Sequence, residues 1–113
     1  GAVLPGRVKE VSQEPGYGNY VVVESIDPLT GNPVDVLYGH LDQVYYKPGD
    51  RISAGTAIGK QGGTGNVRST DGTIASVDFF APAPKGSKSM TRYKNFDRLR
   101  RELARRIQTG SLR

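Results

Sequence analysis

The stretch Tyr20-Val21-Val22-Val23-Glu24-Ser25-Ile26, answered by Val34-Asp35-Val36-Leu37-Tyr38-Gly39-His40-Leu41, decides the fold class. The first run is rich in β-branched residues, whose stiff side chains pack well on a pleated surface, so it reads as a strand. Turn residues bound it on both sides: Glu14-Pro15-Gly16-Tyr17-Gly18-Asn19 before it and Asp27-Pro28-Leu29-Thr30-Gly31-Asn32-Pro33 after it. The second of these turns contains Gly and Asn, which tolerate positive φ, so the two strands form an antiparallel hairpin. In the return strand Val34, Val36 and Tyr38 alternate with Asp35, Leu37 and Gly39, which gives the strand two different faces.

Nearer the start of the chain, Val3 to Val11 alternates weakly and is interrupted by Pro5-Gly6. Between Tyr45 and Gly59 glycines fall between single apolar anchors, a spacing that predicts very short strands joined by tight turns. Gln61 to Asn66 is a glycine-rich loop, and Thr73 to Phe80 reads as the last strand. Ala81 to Ser89, with Pro82, Pro84 and Gly86, is unsuited to a ladder and reads as linker or wrapped, extended chain. Phe96, Leu99, Leu103 and Ile107 then form one apolar stripe of a helix spanning Phe96 to Ile107. Asn95 is its expected N-cap and Gly110 its stop; Asp97 suits the positive end, Arg105 and Arg106 the negative end. The expected organisation is a β-domain over 1–80, a linker over 81–94 and a basic amphipathic helix over 95–109.

The chain has 113 residues, a length that suits one domain. Its 15 glycines and 7 prolines point to many turns, while the clustered valines, isoleucines and tyrosines argue for a core and against disorder. No stretch approaches the roughly 20 apolar residues of a membrane-spanning helix. Gly1 to Pro5 does not resemble a signal peptide, and the missing initiator methionine points to a piece of a longer protein. With no cysteine there is no thiolate chemistry, and the single His limits any imidazole metal site to one ligand from these residues. Charge is polarised: residues 1–80 carry 6 basic and 9 acidic side chains, residues 81–113 carry 10 basic and 2 acidic ones. The basic ridge Arg98, Arg101 and Arg105 is therefore the candidate surface for an anionic partner, with an ordinary solvated helix face as the alternative.

Two motif-like features fail on their mechanics. Gly59-Lys60-Gln61-Gly62-Gly63-Thr64-Gly65 places its Lys before the loop and no helix after it, so it is not a phosphate loop. Asp35, Asp42, Asp50 and Asp71 match no calcium-loop spacing and suit turns instead. The glycine-punctuated run Pro48-Gly49-Asp50 to Ile58-Gly59 also looks like lipoyl and biotinyl carriers, but no Lys stands at a matching hairpin tip.

Three stretches in register carry a more specific resemblance. Tyr17-Gly18-Asn19-Tyr20-Val21-Val22-Val23, then Leu37-Tyr38-Gly39-His40-Leu41, then Lys47-Pro48-Gly49-Asp50 to Ile58-Gly59 with Gly63-Thr64-Gly65 resemble lysostaphin-like (LytM-type) peptidoglycan metalloendopeptidases. The resemblance covers roughly residues 1–80. It implies a mainly β fold, a compact antiparallel β-roll or sandwich of short strands with a groove along one sheet, here followed by one C-terminal α-helix. In the family one zinc is held by the His and Asp of an H-x-x-x-D motif and the second His of a late H-x-H; nearby imidazoles handle protons.

Here His40 matches the family's "Y-x-H-L" histidine, while the strand where H-L-H-F-E is expected reads Ile74-Ala75-Ser76-Val77-Asp78 or, shifted by two, Ser76-Val77-Asp78-Phe79-Phe80, with no imidazole in either register, and H-x-x-x-D is missing. The resemblance therefore implies a degenerate member, with no metal and no cofactor expected and His40 a vestigial catalytic residue. Tyr17, Asn19, Tyr38, Ser76 and Asp78 are its candidate groove residues, offering aromatic surface and hydrogen-bonding groups. Expected partners are peptidoglycan, or a protein of an envelope or phage-tail assembly, in an extracytoplasmic or virion-tail setting. Two alternatives stand beside this: a zinc-dependent endopeptidase whose other ligands lie upstream, and an anionic-polymer or nucleic-acid binder acting through Arg98, Arg101 and Arg105.

Overall fold

The computed structural model describes residues 1–62, 77–84 and 90–110. Strands β1 (Gly6–Glu14), β2 (Gly18–Ile26) and β3 (Pro33–Val44) form an antiparallel meander. β4 (Arg51–Ile52), β5 (Gly59–Gln61), β6 (Val77–Ala81) and β7 (Thr91–Arg92) complete it, and helix α1 (Phe96–Gln108) follows. The sheet order is β4-β1-β2-β3-β6-β7, with β5 on β3, and every pairing is antiparallel. The mainly β fold with a C-terminal helix is thus the one expected. No helix among the described residues is long and apolar enough to cross a membrane.

The β2–β3 connection is built as its composition requires. The Asp27 amide donates to Asn32 O at 2.8 Å, the Gly31 amide to Asp27 O at 2.8 Å, and Gly31 has φ 78°. That positive φ strains any L side chain, so glycine is needed there.

Strand alternation sorts the side chains onto two faces. Val21 and Val23 of β2, Val34, Val36 and Tyr38 of β3, and Val77 and Phe79 of β6 face one core. Ala2, Val3 and Leu4 join that core ahead of β1, so the first strand starts later than the alternation from Val3 suggests. Gly55 and Thr56 hold this segment: Ala2 N–H donates to Thr56 O at 2.8 Å and Gly55 N–H to Ala2 O at 2.7 Å.

The helix packs on the same core. Leu99 and Leu103 are fully buried in it, with Phe96 and Ile107 packed against its margin. The segment read as linker is partly sheet, because Thr91 and Arg92 pair with Ala81 and Phe80. The reason is the next residue. Tyr93 is buried, its amide bonds Phe79 O at 3.1 Å, and its hydroxyl donates to the buried Asp27 carboxylate at 2.6 Å. One tyrosine thus ties the start of the helical segment to the β2–β3 turn. Asn95 sits at the helix start, but its side chain makes no capping bond; its backbone carbonyl accepts from Leu99 N–H at 3.1 Å. Gly110, with φ 75°, ends the helix as expected.

Candidate functional site

The second face of the sheet carries the polar groups. Asp78 of β6 pairs in register with Leu37 of β3, and its carboxylate accepts from the Tyr17 hydroxyl at 2.8 Å. Tyr17 lies in the β1–β2 turn and reaches across β2 and β3 to do this. It can do so because Gly39 leaves room: a Cβ there would sit 3.2 Å from Tyr17 Cδ1. The backbone of the same turn holds β3 as well, since Tyr17 O accepts from His40 N–H at 2.7 Å. Asn19 completes the attachment by donating from Nδ2 to Leu41 O at 2.7 Å.

His40 stands at an irregularity of the ladder. Pairing runs Val21↔Tyr38 and then Asn19↔Leu41, so β3 has one residue more than β2 in this interval. His40 takes that excess with φ 60°, and its carbonyl accepts from Gly62 N–H at 3.0 Å. A non-glycine residue in the left-handed region is costly, and it persists here because partners on both sides fix it. Bulges of this kind re-aim a side chain, and they recur beside functional sites.

A residue the sequence reading passed over completes the site. Arg100 of α1 donates to Val77 O at 2.9 Å, places its guanidinium 3.6 Å from Asp78 Oδ1, and lies over the Phe79 ring at 5.3 Å. Its signal was available: Arg100 lies four residues after Phe96 and three before Leu103, on the flank of the buried stripe. A cation on that flank must find a partner as the helix docks.

Tyr38 differs from expectation. It is buried, and its hydroxyl accepts the Val3 amide at 3.1 Å. Its position has the parity of Val34 and Val36, so it belongs to the core face and not to the face of Asp78. Tyr17, Asn19, Asp78 and the His40 backbone are brought together at one end of the sheet. Ser76 lies outside the described residues. Arg98, Arg101 and Arg105 are exposed, on the outer side of a helix that docks in cis. Arg105 is bonded to Glu102 at 2.6 Å, and Arg106 bonds the same carboxylate at 2.9 Å. These bonds hold the Glu102 carboxyl down to about 2.

Burial, then the hydrogen bond to Asp78 and the charges of Asp78 and Glu14, push the Tyr17 hydroxyl up to about 12. A raised phenol favours the protonated form in the folded state. Its contribution to stability is therefore complete below its unfolded value, near 10, and is lost as pH climbs through about 12. Burial drives Tyr38 in the same direction. Tyrosinate absorbance should accordingly show fewer late-ionising phenols in Tyr17→Phe than in the parent. If the phenol lost in that variant is one that ionises near the ordinary value, the Tyr17–Asp78 bond is contradicted.

The model of peptidase family M23 matches residues 1–79, and the chain belongs to that family. Among solved structures it is similar to an alanine-to-histidine mutant of the catalytic domain of the prophage-encoded M23 protein EnpA from Enterococcus faecalis. The match has 24% identity and a TM-score of 0.57, covering 80% of this chain and 63% of that one. The chain therefore spans a little under two thirds of that structure's length, and the likeness is one of fold. Comparison with curated proteins gives no match.

Proposed function

We propose that this M23 domain is a binding module for peptidoglycan peptide, working in an envelope or phage-tail assembly without metal-dependent hydrolysis. The observation that carries the reading is the state of Asp78. In one of the two registers that the resemblance allows, this residue stands at the position of the second H-x-H histidine. Here its carboxylate is engaged by the Tyr17 hydroxyl on one oxygen and by the Arg100 guanidinium near the other.

A guanidinium beside a ligand carboxylate repels a dication and competes for the same lone pairs, so these residues fit zinc poorly. Among the described residues no group of three or more His, Asp or Glu could hold a metal ion. The chain's single histidine supplies at most one imidazole. What this end of the sheet offers is recognition: a phenol, an amide side chain and a fixed turn backbone beside an aromatic pair, Tyr17 and Tyr20, whose centroids are 6.2 Å apart. Such a surface suits peptide amides and a glycan–peptide polymer. Nucleic acid is the weaker reading, because Arg105 is already bonded within the helix.

The test is co-sedimentation with purified peptidoglycan, with and without chelator. The parent should pellet equally in both, and Tyr17→Phe with Asn19→Ala should pellet less. No pelleting, or pelleting abolished by chelator, would contradict the proposal.

A further inference from the structure

Beside the Asp78 site, the same face of the sheet opens into a cavity of about 440 Å³, lined by residues of β1, β2, β3 and β6 together with Ala83 and Met90. This size lies within the roughly 300–1,000 Å³ of ligand pockets. Tyr20, Val22 and Phe80 supply apolar and aromatic surface within it, and Met90, 51% exposed, adds a flexible apolar side chain.

The charges around the cavity are unequal. Lys9 is already committed: its ammonium contacts the Asp35 carboxylate at 2.7 Å and Ala83 O at 3.3 Å. That pair is neutral as a unit and ties β1 to the segment after β6. Glu10 and Glu14 remain, and neither has a cationic partner among the described residues. Among the described residues Glu10 accepts only from the Tyr20 hydroxyl at 3.2 Å, and Glu14 only from the Tyr17 amide. Burial and then the Glu10 charge raise the Tyr20 hydroxyl above its ordinary value.

We infer that this cavity takes a peptide side chain ending in a free primary ammonium, its methylenes on Tyr20, Val22 and Phe80 and its charge toward Glu10 and Glu14. The inference rests on the peptide-binding reading above and names which peptides that face selects. A long side chain with an apolar stem and a cationic head matches an apolar floor with an anionic rim. A side chain whose amine has been acylated, as in a cross-link, lacks the charge and gains bulk where the head would sit. The module would then favour peptides whose amine is unlinked.

The probe is a fluorescently labelled pentapeptide, Ala-Ala-Lys-Ala-Ala, compared with its Nε-acetylated form by polarisation against the full chain. The free amine should bind at least about tenfold more tightly, the scale of one charge-assisted hydrogen bond. Its affinity should fall with added salt. Glu10→Gln and Glu14→Gln should each narrow the difference between the two peptides, and Tyr20→Phe gives a third variant that keeps the aromatic floor. Equal binding of the two peptides, no binding of either, or no effect of any of the three variants would overturn the inference. If the parent still pellets with peptidoglycan in those cases, only the ammonium subsite fails; if it does not, the peptide-binding reading fails with it.

Discussion

Leu103→Ala is expected to lower the stability of the chain by about 2–5 kcal/mol, the range for emptying a fully buried leucine site. Leu103 is 0% exposed and packs in one cluster with the valines of β2 and β3 and with Phe79 of β6. The loss has two parts, the transfer of the removed carbons and the cavity left where sheet and helix meet. A rigid sheet on one side limits how far the site can collapse, which favours the upper half of the range. Urea unfolding monitored by circular dichroism measures it directly, and the strand signal should melt together with the helix signal. A loss below about 0.5 kcal/mol, typical of an exposed position, would mean that the helix does not belong to the core.

Asp27→Ala is expected to cost about 3 kcal/mol, for a different reason. Asp27 is 1% exposed and accepts from the Tyr93 hydroxyl at 2.6 Å and from the Leu29 amide at 2.8 Å. Removing the carboxylate leaves the buried Tyr93 hydroxyl with only Thr30 Oγ1, at 3.2 Å, and loosens the turn that sets the β2–β3 register. A charge-assisted bond contributes roughly 1.5–3 kcal/mol, and an unsatisfied buried donor adds a penalty of similar size.

Burial alone would raise the Asp27 carboxyl, but the bonds from Tyr93, Leu29 and Thr30 hold it below its ordinary value. Its contribution is thus complete above the unfolded carboxyl value and is lost as pH falls through the lower folded one. Tyr93→Phe should cost less than Asp27→Ala, because it removes a donor and leaves the carboxylate its other bonds. Equal stability of parent and Asp27→Ala in thermal melts near neutral pH would remove Asp27 from this role.

The parts of the fold that were legible in the sequence are those set by local chemistry. The Tyr20–Ile26 run, the Asp27–Pro33 turn and the Phe96–Ile107 stripe each carry their signal within a few residues. So does Gly110, whose positive φ ends the helix.

What was not legible depends on partners distant in sequence. The Thr91–Arg92 strand forms because Tyr93 finds Asp27, 66 residues away. Arg100 enters the site because β6 presents Val77 O and Asp78 at the helix flank. The extra residue at His40 leaves no mark in the alternation before it, since a bulge is set by the partner strand and the Tyr17 turn. Tyr38 is a separate case. Its alternation with Val34 and Val36 already gave it a core position, whereas the motif around His40 pointed to the groove; the burial pattern was the better guide.

With Asp78 engaged by the Tyr17 hydroxyl and faced by the Arg100 guanidinium, the role proposed for this M23 domain is binding of wall peptide without zinc-dependent hydrolysis. The decisive measurement of this role is release of soluble peptide fragments from purified peptidoglycan by the parent chain with added zinc. No release above the protein-free control is expected, while the chain itself stays bound to the pellet. Zinc-dependent release that is lost in Asp78→Asn would contradict it.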